Sequence, residues 1–516
     1  MADTPDYAKT SARIDTARER RHLCETMRGG RAAMIKARET YLPRLGPLET
    51  EARYKARLIL TPFANFLAEA VGFSVGQVFS KAPKWGADIP GDIVTMVENV
   101  DLCGNHGDLF LMDLFRDYWY TGLGLFLVDM PRPRIEGERR TIADEQSLGL
   151  RPYWVRYRAD QVLGYRETIV RGRSVLSQLR LDLIEVLPDG EYLDKDERRV
   201  RVYWSPDGDI GLASFAEFAL VKPESNEWAV VTDRSPIDIN EIPVVTLGGL
   251  SAPPPLQDLA DLNVQDFQLG STLRNIEHVA NVPIPTVTGV APDTLKEALG
   301  AWAVDSICAL QDPAATFGYW EHSGKCIDGL KASIATNREE MARRALRSML
   351  ESRPSGDVTA TSDILNAGRT YSQLAEGTRK LQDAAENGLR LMAKWLKKGE
   401  DKGGQVQLNQ RFSALPMKEQ AREWLDWAVS KGLISKQTAF GEAQRYEALS
   451  DTIVWEDEQE RIKAEEPDPM GEAGRQGAVM RRALALAKGG MSEDEAMAKA
   501  EAEMDGLDDA VEDAAA

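Results

Sequence analysis

From Tyr371 to Lys398 the chain runs 28 residues without a proline and with a composition that favours helix. A helix of that length spans about 42 Å, too long to be capped off inside a small core, so it needs other elements laid along it. Gly377 and Gly388 lie inside it, each costing about 1 kcal/mol against alanine, and a bend or close packing against a neighbour accounts for them. What precedes the long helix is equally ordered. Pro253-Pro254-Pro255 is a stiff junction that opens a helical stretch from Leu256 to Asn281, closed by Pro283 and Pro285. Residues 283–325 are mixed and compact, with a strand-like Thr316-Phe317-Gly318-Tyr319-Trp320. Lys331 to Leu350 is helical again, about 30 Å. Residues 352–370 form a polar, Gly/Ser/Thr-rich break.

The flanks differ in kind. Residues 5–40 read as helix with a weak point at Gly29-Gly30, and Pro43 stops it. Leu48–Leu60, a segment opened by Pro62, and two stretches within Asp92–Trp119 continue the helical part to about residue 130. Gly122 and Gly124 break the pattern before a short buried strand, Leu125 to Val128. Between 150 and 246 short β-rich runs, such as Val200 to Trp204 and Trp228 to Val231, alternate with turn signals such as Pro188-Asp189-Gly190. That pattern predicts a mainly antiparallel unit. Residues 404–466 predict a strand and further helices, and the acidic end predicts disorder across much of 467–516.

With 516 residues the chain exceeds one ordinary core. Its 63 Lys/Arg against 82 Asp/Glu give a net charge of −19, which argues against tight, static nucleic-acid binding but not against a DNA conduit. Four dispersed cysteines and four dispersed histidines make neither a disulfide framework nor a zinc site. Leu109–Met130, the most apolar run, is broken by Asp113, Arg116 and Asp117, which argues against a membrane span. No Walker A or H-E-x-x-H sequence occurs. Gly72-Phe73-Ser74-Val75-Gly76 has the spacing of a hydrolase elbow, but helix before the serine and extended chain after it reverse the order that an elbow needs. The expectation is a chain that is not an enzyme and carries no cofactor and no catalytic or metal-binding residue.

Several strings recur in one order. Tyr41-Leu42-Pro43, Glu51-x-x-Tyr54-x-x-Arg57 and Asn65-Phe66 come first, then Asp101-Leu102-x-Gly104, Gly122-x-Gly124 and Val128-Asp129-x-Pro131. Arg151-Pro152-Tyr153-Trp154, Pro254-Pro255-Leu256-x-Asp258-Leu259-Ala260-Asp261-Leu262-Asn263, Glu321-x-Ser323-Gly324 and Gly432-x-Ile434-Ser435 follow, the last with an acidic Glu456–Arg461 stretch beyond it. Together with the helix–insertion–helix–loop–long helix layout, they resemble the portal proteins of tailed bacteriophages, in a subfamily described only as a phage domain of unknown function. The resemblance covers roughly residues 30–465. Tyr165 stands where that pattern expects tryptophan.

The resemblance implies an α+β ring subunit. Its parts would be a wing (1–255: helical to about 130, β-rich over about 150–246), a first stem helix (256–282), a clip (283–325), a second stem helix (326–351), a tunnel loop (352–370), a long spine helix (371–400) and C-terminal wing or crown-base helices (401–466). An acidic, largely disordered tail (467–516) would close the chain. The implied role is a homo-oligomeric ring, a dodecamer in most of the family, at one capsid vertex of the virion, assembled in the host cytoplasm. Double-stranded DNA would pass through it. The major capsid protein, the terminase large subunit and a head–tail adaptor would dock on it, with no membrane involved.

Charge is unevenly distributed. Residues 331–353 hold six Lys/Arg and three acids, and residues 369–398 hold seven and three. DNA carries one charge per about 1.7 Å of axis, and ring symmetry repeats each cation around the lumen. Arg353 and Arg369, flanking the polar loop, are therefore the expected DNA-facing residues, with Lys331 and Arg338 second. For each of them the alternative is an ion pair on a helix surface or between subunits. Two other roles stay open: another virion structural or head–tail adaptor protein, and a nucleic-acid-processing enzyme.

Overall fold

Every third or fourth residue of the first helix, α1 (Ala12–Arg28), faces inward: Ile14, Ala17, Arg21, Cys24 and Met27. The computed structural model describes residues 4–131, 149–170, 172–206, 211–280, 284–288, 316–320, 325–344, 360–399 and 402–410, and most of 427–445, 453–465, 472–489 and 494–503. It is a mixed α+β chain, with one unit at Met1–Phe412 and a second at Ser413–Ala516.

In the first unit α1 is followed by α2 (Gly30–Ala37), α3 (Glu51–Leu60), α4 (Phe66–Val78), β1 (Lys84–Trp85), α5 (Gly91–Val97) and α6 (Gly107–Thr121). The break expected at Gly29-Gly30 separates α1 from α2. Thr50 caps α3, its hydroxyl accepting from the Arg53 amide, so the helix starts there and not at Leu48. Residues 75–78, expected to be extended, are helical. Val75 and Val78 share the buried face of α4 with Leu67, Ala70 and Val71, and that burial outweighs the strand preference of valine.

α6 ends at Gly122, which is left-handed (φ 74°), and a Cβ there would lie 2.3 Å from the Pro253 carbonyl oxygen. The chain turns directly into β2 (Leu123–Asp129), which is buried along all but its last residue. β3 (Tyr153–Tyr157) lies on one side of β2, and after the β-rich segment β9 (Val244–Gly248) lies on the other, both antiparallel. Between them β4 (Val162–Val170), β5 (Arg173–Asp189), β6 (Leu193–Trp204), β7 (Ser214–Lys222) and β8 (Glu227–Pro236) form a five-stranded antiparallel meander. The N-terminal segment lies on this sheet, with Tyr7 stacked on Phe218 at 4.0 Å.

Arg21 is the exception in the apolar stripe of α1. The residue is 1% exposed, and its guanidinium donates to the carbonyls of Thr121 at 2.7 Å, Leu250 at 3.0 Å and Ala252 at 3.1 Å. It thus ties α1 to the end of α6 and to the turn before Pro253. Burial lowers its pKa to about 10, so it keeps its charge at neutral pH.

Beyond the proline junction come α7 (Gln257–Ala280), β10 (Ile284–Thr288), β11 (Thr316–Trp320), α8 (Lys325–Arg344), α9 (Ala360–Trp395) and β12 (Val406–Gln407), which pairs with β1. In the second unit α10 (Lys436–Arg445), α11 (Trp455–Glu465) and α12 (Glu472–Ala487) are helical. Ser435 caps α10, and the Phe440 and Trp455 rings meet at 5.2 Å. α12 lies within the segment 467–516 that the composition marks as acidic. Most of the acids lie beyond 491, whereas 479–487 (VMRRALALA) is built of good helix formers. No helix among the described residues is long and apolar enough to cross a membrane.

Candidate functional site

α7 and α8 run antiparallel, joined through the ribbon of β10 and β11, whose register runs from Ile284 opposite Trp320 to Thr288 opposite Thr316. The two helices thus flank the β10–β11 ribbon. The helices are joined at four levels. Arg344 Nη1 lies 3.0 Å from Asp258 Oδ2. Asn337 Nδ2 donates to the Leu262 carbonyl at 3.0 Å. Arg338 donates to both oxygens of Asp266, at 2.9 and 3.3 Å. Lys331 Nζ lies 3.8 Å from Glu277 Oε1.

The chain spacing explains the match. Lys331 and Arg338 are seven residues apart and Asp266 and Glu277 eleven, both near whole turns, so each pair shares a helix face. α7 holds four acids and one arginine; α8 holds five Lys/Arg and three acids.

The contacts differ in strength. Lys331, Arg344 and Asp258 are solvated, and such pairs contribute about 0–1 kcal/mol. Asp266 is buried at 5% exposure. The bidentate bond from Arg338 holds that guanidinium above its ordinary pKa, and the Phe66 ring lies 5.7 Å beneath it. Arg338 is thus part of the joint between the two helices.

α9 is 36 residues long, about 54 Å. Residues 360–370, expected in the polar loop, belong to it. Thr361, Ser362 and Asp363 suit a helix start when an apolar Ile364-Leu365 follows, and that local preference outweighs the Gly/Ser/Thr content. From Leu374 onward it buries Leu374, Leu381, Leu389 and Met392. Trp395 is core, its indole donating to the Val128 carbonyl at 2.8 Å. Gly388 allows close approach to Trp154 and Phe126, as the interior glycines suggested.

Three basic residues at and just beyond the end of α9 are held by acids of the same unit. Arg390 and Lys394 each lie 2.6 Å from Glu241, and Lys398 pairs with Asp92. Burial works to raise the pKa of Glu241, but those two cations outweigh it and hold the carboxyl below its ordinary value.

Of the four residues expected to face DNA, the structure therefore places Lys331 and Arg338 on one face of α8, against α7. Arg369 sits in the N-terminal third of α9, and Arg353 lies outside the described residues. Arg343, further along α8, is the more solvated cation, its side chain 67% exposed.

A second polar cluster lies on the five-stranded sheet. Arg201 sits in register with Glu217 on β7, 2.9 Å from it, and 3.3 Å from Asp129 at the end of β2. Arg199 joins Glu217 to Glu197 and Glu185. Burial works against the charge of Arg201, and Tyr203, Tyr157, Asp129 and Glu217 outweigh it, so its pKa is held above the ordinary value. A cavity of about 810 Å³ opens beside this network, lined also by Tyr203, Asp233 and Trp395. Burial pushes the nearby Tyr157 up to about 12 and raises Tyr203 well above its ordinary value, far from what general acid–base work near neutrality needs. Ser74 of the elbow-like string is fully buried inside α4 and donates to the Ala70 carbonyl at 2.9 Å. No group of three or more His, Cys, Asp or Glu side chains suited to a metal occurs among the described residues.

A family profile described as "Domain of unknown function (DUF4055)" matches residues 255–396, from the proline junction to the end of α9. No curated protein matches the chain. A chain in the neck of an empty gene transfer agent (GTA) particle computed with C6 symmetry is 14% identical, with a TM-score of 0.35, covering 78% of this chain and 95% of that one. A chain in the virion of a native GTA particle is 12% identical, with a TM-score of 0.33, covering 75% and 91%. Likenesses this distant establish neither a shared fold nor a shared role.

Proposed function

We propose that the protein is a portal subunit: it forms a ring at a capsid vertex through which DNA is packaged and ejected, and it hydrolyses nothing itself. The observation that carries this reading is the antiparallel pair α7–α8, tipped by a two-stranded β insertion and followed by the 36-residue α9. The ordered motifs support the family, and on this reading α7 and α8 form the stem, the β insertion belongs to the clip and α9 is the spine. On this reading the terminase, the capsid protein and a head–tail adaptor dock on the ring. A net charge of −19 keeps most of its surface from adhering to DNA, while local basic positions guide it.

Arg353 and Arg369 remain the proposed lumen cations. Lys331 and Arg338 take a lesser part, since their charges already face Glu277 and Asp266. Changing Arg353 and Arg369 together to alanine is expected to leave ring assembly intact and to lower the yield of DNA-filled particles roughly tenfold, because each copy loses two phosphate contacts. Packaging assays on particles assembled with the double variant measure this. Wild-type packaging by such rings removes these residues from the channel.

A further inference from the structure

The five-stranded sheet does not end evenly. β4 stops pairing with β5 at Val162 opposite Leu181, and β7 stops pairing with β6 at Arg199 opposite Ala219. Beyond those points β5 and β6 continue with only each other, out to Asp189 opposite Leu193. The result is a two-stranded ribbon about 23 Å long, with neither outer edge paired among the described residues. Such a ribbon is marginal alone, and open edges invite a partner.

Its side chains repeat that message. Ile184, Val186, Tyr192 and Leu193 are 68%, 58%, 87% and 70% exposed. Between 182 and 197 there are seven acids and one lysine. Glu185 and Glu197 are engaged by Arg199, whereas Asp189, Glu191, Asp194 and Asp196 are exposed.

A surface of the opposite character occurs on α3. Tyr54, Arg57 and Leu58 face inward, which leaves Arg53, Lys55, Ile59 and Leu60 exposed, the last two at 64% and 60%. Arg31 adds a further cation there, its guanidinium donating to the Ile59 carbonyl. The one acid of the helix, Glu51, is bound by Arg38 and Arg44, with the solvated Lys55 ammonium 3.7 Å from it.

We propose that the acidic ribbon of one copy docks on the basic, apolar face of α3 in the next copy. This rests on the ring reading above and deepens it. The two surfaces differ, so the contact is heterologous, the kind that closes into a ring when its rotation allows. Apolar contact supplies the burial, and the opposed charges set partner and orientation.

The test uses three full-length variants: Glu191→Lys/Asp194→Lys/Asp196→Lys in the ribbon, Arg53→Glu/Lys55→Glu in α3, and all five changes together. All five side chains are exposed, and thermal melts confirm folding. Mass photometry reads the ring. Each single-surface variant is expected to assemble roughly tenfold less ring than wild type, and the combined variant to regain it. Rings at wild-type level in either single-surface variant, or no recovery in the combined one, overturn the contact and leave the ring reading standing. A wild-type chain that forms no ring overturns both.

Discussion

Gly388→Leu is expected to destabilise the first unit by about 4 kcal/mol, at the upper end of overpacking costs. A Cβ at this position would lie 2.7 Å from Trp154 Cζ2 and 2.9 Å from Phe126 Cζ. Neither ring can retreat. Both are fully buried, their centroids 4.9 Å apart, and Phe110 meets both from the side. Alanine brings one carbon into this contact but gains about 1 kcal/mol of helix propensity, so its net cost should stay within about 1–2 kcal/mol. Gly377 provides the contrast. Its Cβ would sit 3.3 Å or more from Phe115 and Tyr118, a contact that a small adjustment relieves. There alanine should be neutral or stabilise by up to about 1 kcal/mol. Urea titrations of the three variants measure this. Equal effects of alanine at 377 and 388 would show that the close approach of α9 to the aromatic cluster is not what Gly388 provides.

The second large effect belongs to Arg201. Replacing it with alanine leaves Glu217, 7% exposed at its side chain, and Asp129, 17% exposed, without their shared guanidinium. Removing one partner of a buried ion pair costs about 3–5 kcal/mol, because the remaining charge stays desolvated. Arg199 still contacts Glu217 at 3.0 Å, which places the expected loss near the lower figure. Adding Glu217→Gln should recover more than half of it, since Arg199 keeps Glu185 and Glu197. Denaturant titrations of both variants at neutral pH decide this. A single-variant cost below about 1 kcal/mol would mean that water already screens the network.

What the sequence reveals here depends on how local the deciding interaction is. The helix–insertion–helix–long helix order was legible, because prolines at 253–255, 283 and 285 punctuate it and helical periodicity fills the rest. The strand at Thr316–Trp320 was legible because its threonine and aromatic residues favour extended chain. The start of α9 was not, because Thr361, Ser362 and Asp363 serve a helix start as well as a loop. Val75 and Val78 misled because burial on α4 outweighs their preference for extended chain.

At the candidate site the basic islands were visible as composition, but their partners were not. The spacings of seven and eleven residues on α8 and α7 were the signal that Lys331 and Arg338 meet Glu277 and Asp266. That signal acquires meaning only once the two helices are known to be antiparallel. The Arg201–Glu217 pair and the ribbon beyond Leu181 depend on cross-strand register and on where β4 and β7 stop. Neither is written in the local composition of any strand.

The central proposal, a ring-forming portal subunit, is tested most directly by negative-stain images of the purified full-length protein. Rings with a central hole and twelve-fold or thirteen-fold symmetry are the predicted result; a field of compact monomers at concentrations where the protein is folded would contradict it.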